Sequence, residues 1–171
     1  KYVTEMCTAV KENLKLYPSR EAYKSEFITT GFLDNEKLMR LHKTMDCFVM
    51  PSYGEAWCLP AFDAMGMGNT PICTNTGGMS DFLEDGGGVL VDGTLEPAFG
   101  MTETFDDLYT GGEDCVSINV RSLQKAMRRI YYLASNSDSK YIKLQKQGRE
   151  IAEKYCHKNI GTKIKEALDV D

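Results

Sequence analysis

Between residues 47 and 91, short and nearly continuous apolar runs alternate with stretches that read as helix. Cys47–Met50 (CFVM), Thr70–Thr74 (TPICT) and Gly88–Val91 (GVLV) are the runs. A strand covered on both faces is apolar at every position, and such strands belong to parallel sheets. Parallel neighbours need a crossover connection, and each interval here holds one. The first helix is predicted near Pro60, a residue suited to a first helical turn, and reaches Met67. The second is opened by Gly77-Gly78 and runs through Phe82-Leu83. This alternation predicts an α/β fold, a parallel sheet with flanking helices.

The flanks extend the pattern. Apolar residues at 3, 6, 7, 10 and 14 predict a helix from Val3 to Leu16, ended by Tyr17-Pro18-Ser19. Phe27–Thr30 (FITT), closed by Gly31, reads as a further strand. Asp34 or Asn35 caps a helix over 36–45, with Leu38, Leu41 and Met45 on one face. Residues 94–118 show no clear periodicity; Pro97, Gly100 and Gly111-Gly112 mark a long excursion pinned in part by Phe99, Phe105 and Tyr109. Two helices are expected to close the chain. The first spans 120–134, with Leu123, Ala126, Met127 and Ile130 inward. The second spans 139–155, with Tyr141, Leu144, Gly148, Ile151 and Tyr155 on one stripe, and Asn136-Ser137-Asp138 turns between them. No repeat, low-complexity tract or linker interrupts the 171 residues, so a single domain is expected.

Charge and cysteine usage exclude several classes. Lys and Arg number 20 against 25 Asp and Glu, a net charge of −5, whereas nucleic-acid partners call for a clustered basic excess. No apolar run approaches the roughly 18 residues of a membrane span, and no basic segment precedes an apolar one as in a leader. Cys7, Cys47, Cys58, Cys73, Cys115 and Cys156 are scattered, without zinc-ligand spacing. Cys47 and Cys73 fall inside strand-like runs, where a free thiol packs as a small apolar group. A reducing, cytoplasmic setting follows as the expectation.

The segment most able to carry chemistry is Met50–Leu83, MPSYGEAWCLPAFDAMGMGNTPICTNTGGMSDFL. A buried strand ends at Pro51, and a small polar loop (Ser52, Tyr53, Gly54) leads to the acid Glu55. A helix then starts, with a second acid, Asp63, one turn in. Parallel α/β sheets bind ligands beyond the carboxyl ends of their strands, where this loop lies. The helix start offers free N–H groups and partial positive charge, which suit a phosphate. Two carboxylates beside it suit neutral hydroxyls, as on a sugar or ribose.

These residues resemble the nucleotide-sugar-binding domain of retaining glycosyltransferases of GT-B fold, group 1, family 4. The family's signature is an acid, seven residues and a second acid, E-x-F-G-L-P-x-x-E-A-M-x-x-G-x-P; Glu55 to Pro71 read EAWCLPAFDAMGMGNTP. GFLDNEKLMRLHKTMDCFVMPS before it and TNTGGMSDFL and GVLVDG after it are similar to the family's flanking blocks. The resemblance implies a Rossmann-like, partial C-terminal GT-B domain whose substrate is a nucleotide-diphospho-sugar donor. It implies no metal or cofactor, because a helix terminus and basic side chains neutralise the leaving diphosphate. Backbone N–H groups around Ala56, Trp57, Cys58 and Leu59 would hold the donor sugar or diphosphate. Glu55, the implied catalytic residue, would bind hydroxyls of the donor sugar. Asp63 would bind the ribose hydroxyls, and Gly31, Phe32 and Leu33 would lie along the nucleobase. Ser52, Tyr53 and Gly54 would be near neighbours.

The departures are specific. Asp63 replaces a Glu and is shorter by a methylene, Cys58 replaces a Gly where backbone nears ligand, and Asn69 is a one-residue insertion. The family's initial strand, helix and strand, with the Arg and Lys that meet the diphosphate, have no counterpart here. Its acceptor-binding domain is absent too, so the missing N-terminal part of a parent chain is an expected partner. The open sheet edge implied by the missing strands leaves surface for self-association. The expectation is the donor-binding part of a retaining transferase, unable to transfer sugar alone. Alternatives are a non-catalytic donor-binding subunit of a split transferase, or another GT-B enzyme such as a nucleotide-sugar epimerase.

Plainer roles stand beside these. Taken singly, Glu55 reads as a surface acid and Asp63 as a helix-start acid stabilised by the dipole; inside the matched block, donor binding is the expectation. Trp57 suits packing, and Gly77-Gly78 suits a tight strand-to-helix turn. His42 reads as structural and His157, near the last turn of a helix, as a surface residue. Met65 and Met67 read as core filling. Arg128-Arg129 and Lys143 with Lys146 read as solvated faces, and Asp106-Asp107 and Glu113-Asp114 lack further acids at metal spacing.

Overall fold

Three strands pair in parallel in the order Cys47–Met50 (β1), Thr70–Thr74 (β2) and Val89–Val91 (β3). Cys47 lies opposite Thr70 and Met50 opposite Cys73, while Ile72 lies opposite Val89 and Thr74 opposite Val91. Every position of β2 is buried, as a central strand requires. The structure is a computed structural model that describes residues 2–15, 17–19, 23–24, 26–98 and 112–168. It divides into two units, Lys1–Asp34 and Asn35–Asp171.

In the first unit, helix α1 spans Tyr2–Leu14, and Tyr23 Oη donates to the Lys11 carbonyl at 2.8 Å. Lys11 also pairs with Glu26, whose carboxyl that hydrogen bond holds below its ordinary range. The strand expected over Phe27–Thr30 does not form. A strand needs a ladder partner; no described residue supplies one, and Phe27 is almost fully exposed.

The second unit begins with α2 (Asn35–Lys43). Its end is braced by the inserted Asn69, which is buried and donates through Nδ2 to the His42 carbonyl at 2.6 Å. That satisfies one of the orphan acceptors of a helix C-terminus. The helix stops before Met45, which is exposed rather than on its inner face. After β1 comes α3 (Leu59–Gly66), after β2 comes α4 (Gly78–Leu83), and after β3 a hairpin that the sequence did not reveal. Gly93–Pro97 (β4) and Asp114–Ile118 (β5) pair antiparallel, with Gly93 opposite Ile118. Within the expected excursion, residues 99–111 lie outside the described residues, including Phe99, Gly100, Phe105, Asp106, Asp107, Tyr109 and Gly111; so does Leu16.

Helices α5 (Val120–Ser135) and α6 (Ser139–Lys154) follow, capped by Asn119 and Asp138 side chains that accept from Ser122 N and Lys140 N. A third closing helix, α7 (His157–Ala167), was not expected: His157 opens it rather than ending α6. Met127 faces solvent, not inward. Arg128, Arg129, Lys143 and Lys146 are exposed.

Alternation along β2 divides the core. Cys73 joins Ala61, Met65, Phe82 and Ile151 in one cluster, from α3, α4 and α6. Ile72 joins Val91, Ala126, Ile130, Leu133 and Tyr141 in the other, beneath α5. Both sheet faces are therefore covered. Among the described residues no helix is long and apolar enough to cross a membrane.

Candidate functional site

The sheet's carboxyl edge carries the loop from Pro51 to Cys58, and two backbone contacts pin it. Val116 N–H on β5 donates to the Tyr53 carbonyl at 2.9 Å. Gly78 N–H at the start of α4 donates to the Ala56 carbonyl at 3.0 Å and the Glu55 carbonyl at 3.4 Å. Gly77 has φ 55° and ψ −151°, a conformation open only to glycine. A Cβ on Gly77 would collide with the Glu55 carbonyl oxygen, and one on Gly78 with that of Ala56. Gly77-Gly78 is thus the backing plate of the acidic loop as well as a turn.

Trp57 anchors the loop from below. Its ring packs on Phe82 and Tyr155 at 5.2 Å each and on Phe62 at 5.8 Å between centroids. The side chain is therefore partly buried and packs against the core.

Cys58 then turns the chain into α3 with φ 62° and ψ 64°, the left-handed region. Its carbonyl accepts from both Ala61 N–H and Phe62 N–H at 3.1 Å, and Pro60 has no N–H to offer. The backbone N–H groups of Ala56, Trp57, Cys58 and Leu59 meet no acceptor among the described residues. Unpaired successive N–H groups at a helix start form a concavity suited to an anion. Ser52 Oγ, beyond β1, and Thr74 Oγ1, at the end of β2, are buried hydroxyls without partners among the described residues. They add unused hydrogen-bonding capacity near that edge.

Glu55 and Asp63 flank the N–H groups, and both are half-buried. Asp63 lines a cleft of about 580 Å³ together with Trp57, Leu59, Phe62 and residues of the α6–α7 junction; Glu55 does not reach it. Ser52, Tyr53, Gly54, Glu55, Ala56, Trp57, Cys58 and Leu59 form one continuous loop into α3, with Asp63 a turn further on. Gly31, Phe32 and Leu33 belong to the first unit, and Phe32 is almost fully exposed there. Among the described residues no group of His, Cys, Asp and Glu is arranged to hold a metal ion.

The cysteines are free thiols. Burial raises Cys73 to about 12 and Cys47 to about 11, with Asp46 adding to the latter. Burial likewise raises Cys58. His42 is buried against the Phe48 ring, and neither ring nitrogen has a partner among the described residues.

The family model of glycosyl transferases group 1 matches residues 9–118. The chain is also similar to a D-inositol 3-phosphate glycosyltransferase from Paenarthrobacter aurescens (strain TC1). The two are 37% identical over 71 residues, which cover 40% of this chain and 17% of that protein. The match spans less than a fifth of that relative's length. With the family model covering well over half of the chain, and the Glu55–Asp63 signature on the loop that enters α3, the chain belongs to the group 1 glycosyl transferases.

Proposed function

We propose that this chain is the donor-binding part of a retaining glycosyltransferase that takes a sugar from a nucleotide-diphospho-sugar. The observation that carries the reading is the run of four N–H groups, Ala56 to Leu59, that meet no acceptor among the described residues and lie between two carboxylates. In this reading the N–H groups and the α3 terminus hold the diphosphate, whose negative charge grows as the glycosidic bond breaks. Preorganised donors aimed at developing charge are commonly the largest contribution to such catalysis. Glu55 accepts hydrogen bonds from hydroxyls of the departing sugar, and Asp63 accepts from the ribose. Gly77, Gly78 and the Val116 N–H are positioning groups that fix the loop without touching the donor.

Thermal unfolding in the presence of UDP, GDP and ADP, with and without their common sugars, tests this. A ligand that binds only the folded chain stabilises it by about 2.7 kcal/mol at a hundredfold excess over its dissociation constant. One nucleotide is expected to raise the midpoint. Asp63→Ala is expected to weaken that nucleotide by roughly 1–3 kcal/mol through the lost hydrogen bond. A midpoint unmoved by all three nucleotides overturns the reading, and unchanged affinity in Asp63→Ala removes Asp63 from the site.

A further inference from the structure

The two backbone contacts that pin the acidic loop come from different elements, Gly78 at the start of α4 and Val116 on β5. A relay of side-chain hydrogen bonds runs between them. Asn75 follows β2 directly, and its own N–H donates to the Val91 carbonyl at 2.9 Å. Its side-chain oxygen accepts from Ser80 Oγ at 2.9 Å, and its Nδ2 donates to Asp92 Oδ1 at 2.9 Å. An ionised carboxylate only accepts, so the amide nitrogen must be the end that faces Asp92. The Ser80 bond closes the 75–80 turn, inside which Gly77 holds its glycine-only conformation and Gly78 N–H meets the loop. The Asp92 bond leads to the other pin. The Asp92 carbonyl accepts from Asn119 N–H at 3.1 Å, and the next residue, Gly93, opens the ladder in which Leu95 lies opposite Val116. Asn75 and Asp92 are exposed, and surface substitutions usually change stability little. What the relay supplies is placement. The Ala56–Leu59 N–H groups continue directly from the pinned stretch, and preorganised donors lose their effect when their supports shift by about 1 Å.

We propose that Asn75 is a positioning residue of the donor site, an inference that rests on the donor-binding reading above. Through Ser80 it holds the turn that presents Gly78, and through Asp92 it ties that turn to the root of the β4–β5 hairpin that presents Val116. It acts on the Ala56–Leu59 N–H groups through these two pins and touches no part of the donor itself. The hairpin thereby becomes a support of the donor loop, in register with the glycine turn on the other side.

The test uses the intact chain and whichever of UDP, GDP and ADP raises its thermal midpoint, with affinity read by calorimetric titration. Asn75→Ala removes both side-chain bonds and is expected to weaken that nucleotide by about threefold to tenfold. Asn75→Asp keeps an acceptor for Ser80 but turns a carboxylate toward Asp92, and a similar loss is expected. Combining Asn75→Asp with Asp92→Asn reverses the bond: the amide at position 92 donates to the carboxylate at position 75. That pair is expected to bind within about twofold of wild type. Combining Asn75→Ala with Asp92→Asn is expected to restore nothing, because no acceptor faces the new amide. Wild-type affinity in Asn75→Ala, or a loss in Asn75→Asp that Asp92→Asn does not reverse, overturns the proposal and leaves the donor-binding reading standing. Rescue of Asn75→Ala by Asp92→Asn also overturns it, since the removed charge would then account for the effect. A wild-type chain that binds none of the nucleotides overturns both.

Discussion

Cys58 is the residue where local cost and position meet. A left-handed conformation costs an L side chain roughly 1–2 kcal/mol, and glycine escapes it. The sequence flags the position, because the signature that Glu55–Pro71 resembles has Gly there; it does not reveal that the thiol is buried, which offsets part of the cost. Cys58→Ala keeps the strain and loses the sulfur, while Cys58→Gly relieves it. Gly is therefore expected to be more stable than Ala here by about 1 kcal/mol, the reverse of their usual order, as read by urea unfolding. Cys73 makes a second prediction. Burial holds its pKa near 12 against an ordinary 9, so the folded chain binds the proton more tightly than the unfolded one. That contribution is complete below pH 9 and is lost as pH rises through 12, so stability falls over this window. Cys73→Ala is expected to be less stable at neutral pH but to lose stability less steeply between pH 9 and 12.

At the scale of elements, what could be read in advance were those whose own residues specify them. β1 is apolar throughout, β2 carries Pro71, Ile72 and Cys73 between two threonines, and α3 announces itself by Pro60. The β4–β5 hairpin was hidden because every residue of β4 is exposed and its partner lies beyond a long connection, so no local alternation marks it. Phe27–Thr30 fails for the opposite reason: strand propensity without a partner forms no strand. The candidate site was legible in its acids and helix start, whereas its supports were not. Val116 N–H belongs to the hidden hairpin, and the contact of Gly77-Gly78 with the Glu55–Trp57 backbone is purely tertiary. That contact predicts a contrast between two glycines. A Cβ at Gly78 collides with the Ala56 oxygen and lies 3.0 Å from the Trp57 Cα, whereas one at Gly54 meets nothing within 4 Å. Gly78→Ala is expected to destabilise by about 1–3 kcal/mol and to weaken nucleotide binding. Gly54→Ala is expected to change stability by no more than about 0.5 kcal/mol. Thermal unfolding of the two variants, with Trp57 fluorescence as the local probe, measures both.

At the scale of the whole molecule, binding a donor and transferring its sugar make different demands. In the proposed reading, binding uses the loop, the α3 terminus and the two acids, all within the second unit. Transfer also needs an acceptor hydroxyl held within reach of the anomeric carbon, and that orientation supplies a large share of an enzyme's advantage over solution. The matched region amounts to 17% of the length of the D-inositol 3-phosphate glycosyltransferase it resembles, so most of such an enzyme has no counterpart in the match. On that reading, the donor side by itself would stabilise a leaving diphosphate without positioning a nucleophile. These 171 residues are therefore expected to bind the preferred nucleoside diphosphate yet to release none from its sugar conjugate above the uncatalysed rate, whatever acceptor is supplied. Release of nucleoside diphosphate, followed continuously across a panel of sugar and sugar-alcohol acceptors, measures this directly. An acceptor-dependent rate would mean that both substrates are held by this chain, and the acceptor site would then have to be sought around the 52–63 segment itself.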